Sequence, residues 1–283
     1  MSGRARVCGV LTTCVLVADV SAAQVRVGAD AELATRYVWR GVSRTDRAVL
    51  QLQGYGYLPQ GRGGWMAGAW AGFEPWSPAA GEPTVSGLDG SALHEWDAWV
   101  QRDFIGGGLS ASVGAITYLF NGDAASGGLS DSLSTAELYV RVSQFEGIRL
   151  VVPTLVATWD VWRVDGGYLE LQLYRRIPVL PVGPLRTLEL GAVTGFSLSQ
   201  KRTDGDVGYF DRNSFTHVDL SIGLSPRFHL GNLPLTAFTT GHWQLGIDDA
   251  TRPLNDDGER TTSTLWLELG FSLTPPNGDR ELE

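Results

Sequence analysis

Acidic residues outnumber basic ones in this chain, 31 against 22, and there are four histidines. Spacing decides what chemistry these groups could do. His217, Asp219 and Ser221 have the composition of a relay in which histidine takes a proton from a hydroxyl. On a strand, however, residues two apart sit about 7 Å from one another and point in parallel, which is poor geometry for proton transfer. His94 is no better placed, because alternation puts Glu95 and Asp97 on the opposite face. His242 is expected to face the interior of the fold, and His229 to sit in a turn. No catalytic residue is assigned, and the chain is not expected to be an enzyme.

Two polar stretches hold Asp204, Asp206 and Asp211, and Asp248, Asp249, Asp256 and Asp257. Their oxygens could ligate calcium, but the spacing matches no calcium loop, so they read as solvated loops and no metal or other cofactor is expected. No glycine-rich phosphate loop joins a strand to a helix. What remains is charge arranged in rows. Arg36, Arg40, Glu95, Asp97, Glu137 and Arg141 fall on early segments, each on the polar side of an alternating pattern. Rows of this kind either set the field and width of a passage or pair with one another and close it.

The segments that carry these rows are about nine to thirteen residues long, and none shows a sustained 3.6-residue apolar stripe. About twelve strands are predicted, at residues 32–40, 49–58, 65–73, 94–104, 109–120, 135–143, 148–159, 167–177, 187–198, 215–225, 233–245 and 262–274. In the first, Leu33, Thr35, Tyr37 and Trp39 share one face and Glu32, Arg36 and Arg40 the other. In the last, Leu265, Leu267, Leu269, Phe271 and Leu273 form an unbroken apolar row. Short or proline-rich connections alternate with long polar ones, as an up-and-down barrel with one elaborated rim requires. A soluble sandwich would want polar outer faces, and a lipid carrier would hide the apolar rows inside; alternation alone does not say which face is out.

Residues 1–23 read as a secretory signal peptide: Arg4 and Arg6, a mostly apolar run from Val7 to Ala18, then Ser21-Ala22-Ala23. The run falls short of the roughly 20 residues a spanning helix needs, and Asp19 interrupts it. Both cysteines, Cys8 and Cys14, lie in this leader, so the mature chain is expected to hold no disulfide. Removing Arg4, Arg6 and Asp19 takes the formal charge from −9 to about −10, which disfavours nucleic acid as a partner. The organisation expected is a leader at 1–23, one outer-membrane barrel at 24–274 and a charged periplasmic tail at 275–283. Tyr37, Trp39, Trp65, Trp96 and Trp159 read as girdle residues at the membrane–water interfaces.

From Arg36 onward the chain also resembles the TorF-type porin family. The matching residues are Tyr37, Arg40-Gly41-Val42-Ser43, Thr45-Asp46, Gln53-Gly54, Gly68 with Trp70, Glu95 and Asp97, Gly114 with Tyr118, and Thr135-Ala136-Glu137-Leu138-Tyr139-Val140. The match is strongest over residues 30–145. It departs where the family has an aromatic-proline-glycine ending, here Leu119-Phe120-Asn121-Gly122, and where it has Ser-Asn, here Ala71-Gly72. The resemblance implies an outer-membrane barrel with a porin label and no stated solute.

The expectation is therefore an all-β, antiparallel, up-and-down transmembrane barrel in the bacterial outer membrane. It would be a narrow, weakly cation-preferring passive channel for small ions or polar solutes, with the lipid bilayer as its other partner. The alternatives are a plugged structural or binding barrel, a lipid-modifying barrel enzyme, or a periplasmic lipid-binding barrel.

Overall fold

Fifteen strands follow one another in the computed structural model: β1 (Arg26–Ala34), β2 (Tyr37–Trp39), β3 (Val42–Thr45), β4 (Val49–Pro59), β5 (Gly63–Phe73), β6 (Leu93–Gly106), β7 (Leu109–Phe120), β8 (Thr135–Gln144), β9 (Val152–Asp160), β10 (Gly167–Pro178), β11 (Thr187–Leu198), β12 (Phe215–Leu224), β13 (Arg227–Leu230), β14 (Leu233–Gly246) and β15 (Ser263–Leu273). The structure describes residues 25–45, 47–74, 93–120, 134–144, 151–179, 187–200, 209–210, 212–230, 233–253 and 260–273. The expected leader and charged tail lie outside these residues.

Twelve of the strands close into one antiparallel barrel. Each pairs with its neighbour in the chain, β1 pairs with both β4 and β15, and β14 closes the ring by pairing with β12. Closure leaves no strand edge unpaired, the condition for a sheet to exist in hydrocarbon. β13 only lengthens the turn leading into β14, while β2 and β3 form a separate hairpin outside the barrel sheet.

The register decides which face is out. Glu32 lies opposite Gln51 on one side and Gly270 on the other, and Arg141 lies opposite Ser112 and Val156, so the charged rows share the lumen. The alternate residues form the exterior: Leu265 is 73% exposed, Phe271 56% and Ile222 55%. Apolar side chains are exposed on every wall strand but β11, which suits lipid, not water. Trp65, Trp96 and Trp159 join this exterior as expected.

The first predicted strand is the one that fails. The wall strand is β1, which ends at Ala34, and residues 37–45 leave the wall as the β2–β3 hairpin. Tyr37 is buried and Trp39 packs on the lumenal aromatics, so neither is a girdle residue. Alternation ran on unbroken through residue 40 because a lumenal hairpin and a wall strand share the same two-residue period.

Candidate functional site

The lumen is built around that hairpin. At the bend, Thr35 is pinned to β15: its N–H donates to the Leu267 carbonyl (2.9 Å), and its Oγ1 accepts from the Leu267 N–H (3.0 Å). The chain beyond it therefore turns inward from a fixed point. At the tip Arg40 and Gly41 adopt left-handed backbone, with φ of 50° and 81°. Such a conformation is costly for arginine and persists where the surroundings over-determine it.

Five partners do so. Arg40 spans the lumen to β8, where Nη1 and Nη2 donate to the two Glu137 oxygens at 2.7 and 2.5 Å, a bidentate pair in which Glu137 is fully buried. Nη2 also donates to Thr158 Oγ1 (3.2 Å), and the guanidinium lies over the rings of Trp39 and Tyr168 at 4.4 and 4.7 Å. The Gly41 carbonyl accepts from Gln244 Nε2 on β14 (2.7 Å). A Cβ at Gly41 would fall 2.5 Å from Cγ of His217, so only glycine lets the tip seat there.

The tip is roofed by an aromatic core at the rim of the long connections. Tyr168, Tyr209 and Phe210 are buried, with Trp39 and Val42 packed against them. Tyr168 stacks on Phe210, while Trp39 meets Tyr118 and Tyr209 edge to face. Burial pushes the Tyr209 phenol above its ordinary range, so this rim group stays neutral. Asp248, expected in a solvated loop, is instead buried: its side chain caps the turn at Asp249–Thr251 by accepting from Ala250 N–H, and Thr251 docks that turn on the Thr216 carbonyl (2.6 Å). Asp160 likewise accepts from three successive N–H groups, those of Trp162, Arg163 and Val164.

Of the six residues singled out from sequence, the fold joins Arg40 to Glu137 and Glu95 to Asp97. Glu95 and Asp97 are buried at the base of the hairpin, in a hydrogen-bonded chain with the Tyr37 hydroxyl and facing the Arg44 guanidinium. Arg36 stays at the bend, donating to Ser43 Oγ (3.0 Å). Arg141 stands apart. It lines a cavity of about 580 Å³ between the hairpin and the short-turn rim, and it has no hydrogen bond or ion pair among the described residues.

Across the lumen, His242 Nδ1 and Nε2 lie 3.0 and 3.1 Å from Asp219 and Glu268, with the ring stacked on Trp266. An acceptor at each nitrogen requires the ring to donate from both, which leaves no lone pair to act as a base. Asp219 therefore serves His242, and His217 bonds Thr216 Oγ1 instead (3.0 Å), so the His217-Asp219-Ser221 spacing forms no relay.

Gln244, Tyr168, Tyr209 and Phe210 hold the plug and the sequence did not single them out, while His217, weighed there only as a relay base, seats the tip instead. One signal was available: Tyr209-Phe210 is an adjacent aromatic pair inside an otherwise polar, acidic connection. Such a pair gains little from a solvated loop and much from docking inward.

No family model matches the chain, and no curated protein matches it. Among solved structures it is similar to the NanC porin, at 11% identity over 87% of this chain and 99% of that one, with a TM-score of 0.49. It is similar to an outer membrane channel from Pseudomonas putida F1, at 12% identity over 89% of this chain and 95% of that one, TM-score 0.49. It is also similar to LpxR from Salmonella typhimurium, at 9% identity over 87% of this chain and 99% of that one, TM-score 0.48. The neighbours are outer-membrane porins and barrels, and at these scores none of them bears on what passes through this one.

Proposed function

We propose that this chain is an outer-membrane channel of porin type, a member of the TorF-type family, passing small ions and polar solutes with a weak preference for cations. It would be exported through the leader at residues 1–23, with both chain termini on the periplasmic side. The observation that carries this reading is the closed barrel with an apolar exterior and a charged lumen that the hairpin fills at one end only. Twelve strands fall between the roughly eight whose interior is filled by side chains and the sixteen or more that leave a wide channel, and the hairpin narrows the passage further.

The fixed charge below the hairpin is mainly acidic. Asp30, Glu32, Asp103, Glu170, Glu189, Asp219 and Glu268 lie on inward positions, against Arg26, Arg141, Arg176, Arg227 and His242. His242 offsets two of the carboxylates and Arg176 is paired with Glu189 at 3.2 Å. Of the other arginines, Arg26 and Arg227 sit at the short-turn rim, whereas Arg141 lines the cavity below the hairpin and acts most directly on the passage. Arg40 with Glu137 sets the width; Arg36, Glu95 and Asp97 hold the hairpin that carries Arg40.

The test is single-channel recording of the detergent-folded mature chain in a planar bilayer under a salt gradient. Discrete steps with a cation-side reversal potential are expected. The bidentate Arg40–Glu137 pair favours a second reading, a barrel closed at rest, and absence of conductance from heat-modifiable, folded protein would select it.

A further inference from the structure

Three lumenal rings lie flat against the barrel wall in the cavity below the hairpin. Tyr55 on β4, Trp99 on β6 and Tyr139 on β8 all point inward, and the strands between and beside them carry glycine where each ring crosses. A Cβ at Gly68 would fall 2.5 Å from Trp99 Cζ2, and one at Gly114 would fall 2.6 Å from Tyr139 Cζ. A Cβ at Gly28 would collide with the Tyr55 ring. One face of each ring is therefore spent on backbone, and the other is turned to the lumen. Tyr55 and Trp99 have centroids 6.4 Å apart and planes tilted by 37°, so the strip follows the curve of the wall.

Polar groups surround the strip. Gln53 and Arg141 line the same cavity without a hydrogen-bond partner among the described residues. Gln101 is oriented by the Tyr139 hydroxyl, which donates to its Oε1 (2.7 Å), and Gln172 by Glu170, which accepts from its Nε2 (2.6 Å). We propose that this cavity is a binding site for a neutral saccharide of one or two rings, which deepens the channel reading by naming the class of solute the lumen retains. A sugar ring has an apolar face of C–H groups, slightly positive at hydrogen, which suits the negative face of an aromatic ring. Its hydroxyls both donate and accept, matching side-chain amides that do the same. The volume fits: about 580 Å³ lies within the roughly 300–1,000 Å³ of small-molecule sites. Neither sign of charge is favoured for retention, because Asp30 and Glu170 face an anion while Arg141 faces a cation in the same space.

The test is saturation-transfer NMR on the folded mature chain in a sugar-free detergent, with maltose, glucuronate and choline as separate probes. Maltose is expected to receive saturation and the two ions not. Trp99→Ala should weaken maltose binding about tenfold and Trp99→Phe should restore most of it, the range expected for one aromatic contact. Should Trp99→Ala fail to show the folded, heat-modifiable band, Gln53→Ala takes its place, with the same direction expected. No transfer to maltose, undiminished transfer in the folded variants, or preferential transfer to choline would each overturn the assignment. Binding in detergent does not depend on conductance, so a folded chain that binds maltose without conducting would sink the channel reading and leave the site standing.

Discussion

The two halves of the lumen share one wall and do opposite things with it. At the long-connection end, inward residues behave as a protein core: Tyr168, Tyr209 and Phe210 are buried together, and the ion pair of Arg40 with Glu137 is dry and bidentate. Toward the short-turn end, inward residues line a space of about 580 Å³, with Arg141 unpaired among the described residues and Arg176–Glu189 partly exposed. Inward orientation does not by itself assign a role. Whether a lumenal charge tunes passage or locks a plug depends on what the nine residues of the hairpin reach.

The difference is largest at Glu137. Glu137→Ala leaves the Arg40 guanidinium buried without its partner, a change that costs roughly 3–5 kcal/mol in dry sites. The hairpin should leave its seat, and single-channel conductance should rise several-fold. Conductance equal to that of the unaltered chain would mean the hairpin does not narrow the path. Arg40→Ala with Glu137→Ala should be less damaging to stability than Glu137→Ala alone, which a double-mutant cycle reads directly.

Gly41→Ala comes next. It forces a side chain into the His217 ring and a strained backbone at φ 81°, at a cost of roughly 1–3 kcal/mol. The temperature at which the folded band shifts on a gel should drop by several degrees; no drop would show the tip is not docked. Gln244→Ala removes the donor to the Gly41 and Thr251 carbonyls, at about 1 kcal/mol, and faster hydrogen exchange confined to the hairpin peptides is the expected readout. Arg141→Ala, in the open half, should change stability by no more than about 0.5 kcal/mol. Its effect should appear only in the reversal potential, moved toward greater cation preference. An unmoved potential would remove Arg141 from the path and blur the division between the two halves.

Much of the barrel was legible beforehand. The last eleven predicted strands match wall strands, and faces such as Gln51, Gln53 and Tyr55 against Leu50 and Leu52 came out as alternation placed them. Closure into a ring also supplied the physical reason why apolar rows belong outside. The candidate site was legible only in part. Arg40 and Glu137 are 97 positions apart and carry opposite charges on inward faces, but nothing local says that they touch.

The sequence by itself determined the period, the number and length of the wall strands and the sign of each row, because side-chain direction along a strand is set by backbone geometry residue by residue. Only the tertiary structure decided that residues 37–45 leave the wall, that Tyr37 and Trp39 look inward and that Arg40 meets Glu137. A hairpin inside a barrel has the same two-residue rhythm as a strand of its wall. What separates them is the set of distant partners waiting across the lumen: Glu137 for the charge, Gln244 for the carbonyl and His217 for the space beside a glycine.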